Sequence, residues 1–111
     1  MRNLFALIAL AATAASAQAG DFEAYAVKNL PQSLYPLEVL DISWEGSTVM
    51  IVVHDNGNDR TGLANAACNA MQFYVDKVVP TLRHPTVRIM DGDAWVSRKE
   101  YRVLGKATCD L

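Results

Sequence analysis

Five side chains able to move protons or hold ions crowd one short stretch: His54, Asp55, Asn56, Asn58 and Asp59. They follow an apolar run, Thr48 to Val53, and the carboxyl end of a strand is a common place for a ligand. An oxygen-rich loop of this kind could hold Ca²⁺, and a small hydrolase or metal-dependent enzyme would draw on His54, Asp55 and Asp59. The spacing argues against an EF-hand. Counted from Asp55, Gly57 stands where a ligand is required, Arg60 replaces the invariant Gly, and Ala66 replaces the closing Glu. Asp, Asn and Gly are also what tight turns and helix entrances prefer, because short polar side chains bond back to nearby N–H groups. Turn and cap is the simpler reading, with His54, Asp55, Asn58 and Asp59 kept as a candidate ligand turn.

Asp91 and Asp93 flank Gly92, with His84 shortly before them, and a solvated Gly turn suits that pattern better than a divalent-metal site. The 2 histidines make no zinc site without further ligands. A Cys68 nucleophile served by His54 and Asp55 would need a free thiol, and Cys68 lies away from the electropositive helix start that activates thiols. Gly-x-Ser-x-Gly, a phosphate-cradling glycine-rich loop and Cys-x-x-Cys are all absent from the sequence. No catalytic residue, metal ligand or cofactor is assigned.

The polar turn joins the two clearest periodicities in the chain. Thr48–Val53 is apolar on both faces, which suggests a central strand. The helix that follows, running to Val79, places Leu63, Ala64, Ala67, Met71, Tyr74, Val75 and Val78 on one face, with Cys68 and Val79 along its edge. Asn65, Asn69, Gln72 and Asp76 take the other side. Asn58 or Asp59 is expected to cap this helix and Pro80 to stop it. Phe73 breaks the pattern by pointing to the polar side, which marks it as a contact for a partner or for weak self-association.

Residues 1–19 carry a basic Arg2, an apolar run from Leu4 to Ala12 and the small-residue ending Ala17-Gln18-Ala19. This pattern predicts a secretory leader cleaved near Ala19 and a periplasmic or secreted product; the apolar run is too short to span a bilayer. The remaining segment, 20–111, is enough for one compact domain with a small core. The chain has only 2 cysteines, Cys68 and Cys109, and an oxidising compartment favours their pairing.

The other elements are weaker signals. Asp21 to Leu30 has helical spacing, with Pro31 ending it. Leu40, Ile42 and Trp44 alternate with Asp41 and Ser43, as in a half-buried strand. A Glu45-Gly46 loop would put Trp44 opposite Ser47 and Ile42 opposite Val49. Thr86 to Met90 is a third strand, with Val87 and Ile89 inward. Asp91-Gly92-Asp93 reads as a turn, Ala94–Lys99 as a loop, and Glu100 to Cys109 as a last strand with Gly105 at a bulge. Ser97 and Glu100 also resemble a helix capping box. The predicted class is α+β: a small antiparallel-rich sheet of three to four strands on one long helix, with a short N-terminal helix, in the order αββαββ.

The first five elements, with the Trp44 to Val49 hairpin, resemble in order the BON domain, a small exported αββαβ module. That resemblance implies an envelope or lipid-surface-binding role. His84-Pro85 stands where the family enters its last strand with Gly-Val, and no site residue is carried over.

Charge divides the chain: from Gly20 to Pro80 acidic residues outnumber basic ones, and beyond Pro80 the balance reverses. Arg98, Lys99, Arg102 and Lys106 could meet an acidic partner or anionic headgroups, or could guard a strand edge against unwanted pairing. Trp44, Phe73, Trp95 and Tyr101 are the aromatic candidates for a contact surface. An exported, acidic chain does not suit nucleic acid. The reading is a small exported binding or accessory domain, without catalysis, acting on an envelope or extracellular protein partner.

Overall fold

A computed structural model of the chain describes residues 20–98 and 100–111. The expected leader and Lys99 lie outside the described residues. Four strands, β1 (Asp41–Glu45), β2 (Thr48–Val53), β3 (Thr86–Asp91) and β4 (Val103–Thr108), form one sheet in the order β1-β2-β3-β4. Three helices join them: α1 (Asp21–Ser33), α2 (Thr61–Tyr74) and α3 (Gly92–Arg98). The β1/β2 and β3/β4 pairs are antiparallel, while β2 and β3 run parallel. A parallel pair needs a crossover, and α2 supplies it. The α+β class and the N-terminal helix are as expected. The order is αββαβαβ, because a helix separates the last two strands.

Alternation along the strands sorts the residues by face. Val49, Ile51, Val53, Val87 and Ile89 are buried against α1 and α2, beside Phe22, Ala26, Leu30, Ala64, Ala67 and Met71. The alanines of α2 let the helix sit close on the sheet. Trp44 joins this side, donating from its indole N–H to the Glu23 carbonyl at 3.1 Å and so pinning α1 to β1. As expected from its apolar run, β2 is central.

The seam between α2 and β4 is held at two points. Cys68 on α2 is bonded to Cys109 just past β4, with the Cα atoms 5.2 Å apart. Cross-linking two residues 41 apart in sequence removes denatured-state entropy worth about 4 kcal/mol on the chain-entropy view. At the other end of the seam the Arg60 N–H donates to the Leu104 carbonyl at 2.9 Å. There Gly105 faces the start of α2 so closely that a Cβ would lie 2.5 Å from the Arg60 oxygen and the Thr61 nitrogen. The ladder irregularity falls at Leu104, the residue before Gly105, since Ile89 pairs Gly105 and Met90 pairs Val103.

Several boundaries differ from expectation. The hairpin loop is Gly46-Ser47, not Glu45-Gly46: Trp44 pairs Val49 and Ile42 pairs Ile51. Gly46 takes φ +59°, which a two-residue hairpin turn requires and glycine supplies without strain. The register moves by two residues, so each side chain keeps its face. Pro31 lies inside α1, where the lost N–H falls in the final turn and buried Leu30 and Leu34 hold that turn in place. Regular α2 ends at Tyr74, as bonds such as Lys77 N–H to the Tyr74 carbonyl tighten to i−3 spacing before Pro80 is reached. Arg60 occupies the N-cap position, while Asp59 accepts from the Thr61 N–H and hydroxyl. The last strand starts at Val103, not near Glu100.

Gly105→Ala should cost about 1–3 kcal/mol in urea unfolding, because backbone must move to admit the methyl. Gly62→Ala, where nothing lies within 4 Å, should be neutral or stabilise by up to about 1 kcal/mol. Equal effects of the two substitutions would show that the α2–β4 contact is loose.

Candidate functional site

The helix layer covers the inner sheet face and leaves the outer face to shorter elements. On that face Asp41 and Ser43 of β1, Met50 and Val52 of β2, and Met90 of β3 form neighbouring rows. The seven-residue helix α3 packs over the β2 end of this surface. It sits close, since a Cβ on Gly92 would come within 2.7 Å of the Leu40 side chain. Trp95 of α3 and Tyr101 beyond it stack with ring centroids 4.7 Å apart. Sheet, helix and connector together frame a cleft of about 240 Å³ lined by those five sheet residues with Asp91, Trp95, Glu100 and Tyr101. Its floor is apolar, one wall is aromatic, and among the described residues its charged lining is carboxylate.

Asp91 is the buried member of that set, at 3% exposure. A buried carboxylate needs partners. Its Oδ1 accepts from the Asp93 and Ala94 N–H groups at 2.9 and 3.1 Å, and Arg102 stands 3.9 Å from its Oδ2. Asp91 is thus the N-cap of α3 and not a solvated turn residue. The region expected to be a loop is helical because this cap, with buried Ala94 behind it, stabilises the first turn. Ser97 donates back to the Asp93 carbonyl and does not begin a capping box.

At the cleft's end, where parallel β2 and β3 both finish, His54 meets Asp93 at 3.0 Å and Glu38 at 3.5 Å. An ionised Asp93 accepts only, so the neutral imidazole carries its proton on Nδ1 and turns the Nε2 lone pair toward Glu38. Protonating Nε2 relieves that contact. The His54 pKa is raised, first by the hydrogen bond to Asp93 and then by its charge, with Glu38 adding; the Asp93 carboxyl is held below its usual range, first by His54 and then by the Asp55 N–H.

The rest of the candidate ligand turn is occupied locally. Asp55 accepts from the Gly57 N–H at 2.8 Å, and Asn56 accepts from the Asn58 N–H at 3.0 Å. Asp59 serves the α2 entrance, and Arg60 reaches back to the His54 carbonyl. His54 therefore joins Asp93 and not Asp59. Among the described residues, no hydroxyl or thiol lies within hydrogen-bonding distance of His54, and no three His, Cys, Asp or Glu side chains gather as a metal site. His84 pairs with Asp110 at the opposite end of β3, away from Asp91 and Asp93. The disulfide removes Cys68 as a nucleophile.

The surface residues divide among separate places. Phe73, 74% exposed, borders a shallow groove on the helix layer with Ser33, Ala66 and Asn69. Arg102 lies 3.8 Å from Asp55 as well as near Asp91, while Lys106 pairs with Arg88 on the outer face of the edge strand. The side chain of Arg98, with Lys99, lies outside the described residues. Trp44 is partly buried against the core, whereas Trp95 and Tyr101, like Phe73, are exposed. The floor residues Met50, Val52 and Met90 escaped notice in the sequence, where β2's two apolar faces signalled only a central strand.

No family model, curated protein or solved structure matches the chain. The shared element order with the BON domain therefore carries no family assignment. Among the described residues, no helix is long and apolar enough to cross a membrane.

The His54–Asp93 contact has a definite pH window. The raised His54 pKa contributes stability fully below the ordinary histidine value of about 6.5, lost as pH rises through the folded value. The lowered Asp93 pKa contributes above the ordinary aspartate value of about 3.9, lost as pH falls through the folded one. The pair is strongest between those limits. In an NMR titration, Asp93→Asn should lower the His54 midpoint; an unchanged midpoint would remove Asp93 as the cause.

Proposed function

We propose that this chain is a small exported binding or accessory domain that performs no chemistry of its own and holds its ligand or partner in the outer-face cleft. The observation that carries this reading is the stacked Trp95–Tyr101 pair, 41% and 74% exposed over an apolar floor. Val96 and Val103 extend the exposed apolar surface around it. Keeping such a surface in water is unfavourable unless something covers it in use. The working surface is then neither the α2 side nor the basic group at the C-terminal strand.

Export is supported by the leader pattern and by the disulfide, which persists in oxidising compartments. The alternative, a hydrolase or metal-dependent enzyme built on His54, Asp55 and Asp59, loses support because those groups are engaged in the turn, the α2 entrance and the Asp93 contact. Phe73 favours a second, separable contact, either with an envelope protein or between copies of the chain, because it is exposed on an otherwise polar helix face.

Immobilised protein should retain its ligand or partner from periplasmic or culture fractions, and Trp95→Ser should lose that retention while Phe73→Ser keeps it. Thermal unfolding of both variants within a few degrees of wild type would exclude misfolding as the cause. Loss with Phe73→Ser alone would move the function to the helix layer.

A further inference from the structure

We propose that the free edge of β1 takes up an extended, basic segment of a partner protein as a further, antiparallel strand of the sheet. The inference goes beyond the cleft reading and stands on β1 itself. Two observations carry it: one edge of the sheet is closed and the other open, and the open edge is acidic.

The ladder shows which groups the open edge presents. The Thr86 N–H donates to the Ser47 carbonyl across the β2/β3 pair, so odd-numbered residues of β2 turn their main chain toward β3 and even-numbered ones toward β1. Thr48, Met50 and Val52 pair Glu45, Ser43 and Asp41. The N–H and C=O groups of Ile42 and Trp44 therefore point away from the sheet. Among the described residues, no main-chain group outside the sheet bonds to them. The β4 edge differs, because there the Arg60 N–H takes the Leu104 carbonyl and the start of α2 lies against Gly105. β1 also lacks the proline and lysine that commonly blunt an exposed edge.

Charge selects the occupant. The charged side chains of β1 are Asp41 and Glu45, exposed at its two ends on the outer face, with Ser43 between them. Neither forms an ion pair among the described residues. A second copy pairing antiparallel along the whole strand would set Asp41 of each copy opposite Glu45 of the other, and like charges directly opposite repel. A partner strand with Lys or Arg at alternate positions meets both carboxylates instead. Its intervening apolar residues fall beside Ile42 and Trp44, which are only partly buried against the core. Main-chain bonds then supply affinity, and the alternating side-chain contacts supply selection. The added strand borders the cleft, since Asp41 and Ser43 also line it.

The probe is the end-blocked peptide Thr-Lys-Val-Thr-Val-Lys-Thr, which sets its lysines opposite Asp41 and Glu45 and its valines opposite Ile42 and Trp44. One control carries glutamate in place of lysine. A second keeps the lysines but is N-methylated at both valine amides, which removes the donors that the edge would bind. In a ¹⁵N NMR titration of the purified protein, the lysine peptide should shift the Ile42 and Trp44 amides and slow their hydrogen exchange. The glutamate peptide should bind about tenfold more weakly, and the N-methylated peptide should not bind. Combining Asp41→Asn with Glu45→Gln should shrink the preference for lysine over glutamate several-fold. Equal binding of the two charged peptides to the unaltered protein would overturn the basic partner. Binding of the N-methylated peptide as tightly as its parent, or shifts centred away from β1, would overturn strand addition. No binding of the lysine peptide would overturn the proposal outright, and self-association of the neutralised variant would then show that the carboxylates serve only to keep copies apart.

Discussion

The α1 and α2 helices cover one face of a four-stranded sheet, and only the seven-residue α3 and its connector lie over the other. This one-sided cover is the constraint from which the remaining features follow. The inner face supplies almost all of the core, from Phe22 on α1 to Met71 on α2. The outer face keeps apolar residues in its central strands, yet α3 reaches only part of them. What α3 leaves uncovered is the cleft.

A layer this thin needs its long helix held firmly, and the α2–β4 seam does that at both ends. The Cys68–Cys109 bond anchors the middle of α2, and Gly105 lets the start of the helix lie against β4 at backbone distance. Stabilisation of about 4 kcal/mol from the cross-link compares with a total net stability of about 5–15 kcal/mol for an ordinary domain. The same chain turn that carries the seam also brings His54 to the sheet's end, where the Arg60 side chain reaches the His54 carbonyl.

The inner half of this design was legible in the sequence. Helical spacing placed Ala64, Ala67, Met71 and Tyr74 inward and Phe73 outward, and all five stand so. Strand alternation placed Val87 and Ile89 correctly, and the cysteine pair was expected from the count of two and the leader pattern. The outer half was not legible, because it depends on which strands become neighbours. Asp41, Met50 and Met90 are far apart in the chain and meet only through the β1-β2-β3 order. Helix α3 was missed for a local reason: seven residues hold too few turns to show a period, and its cap, Asp91, resembled an ordinary Asp-Gly turn. The hairpin register slipped because Glu45-Gly46 and Gly46-Ser47 offer the same alternation, and only the positive φ at Gly46 separates them.

The methionines distinguish the two faces directly, since Met50 and Met90 line the cleft while Met71 is sealed in the core between α2 and the sheet. Methyl NMR of protein labelled with ¹³C at the methionine methyl groups, recorded before and after exposure to a low-molecular-weight envelope fraction, therefore reports which face is used. A ligand on the outer face should move the Met50 and Met90 resonances and leave Met71 in place. Binding that leaves both outer methyls unmoved would contradict the cleft as the working surface.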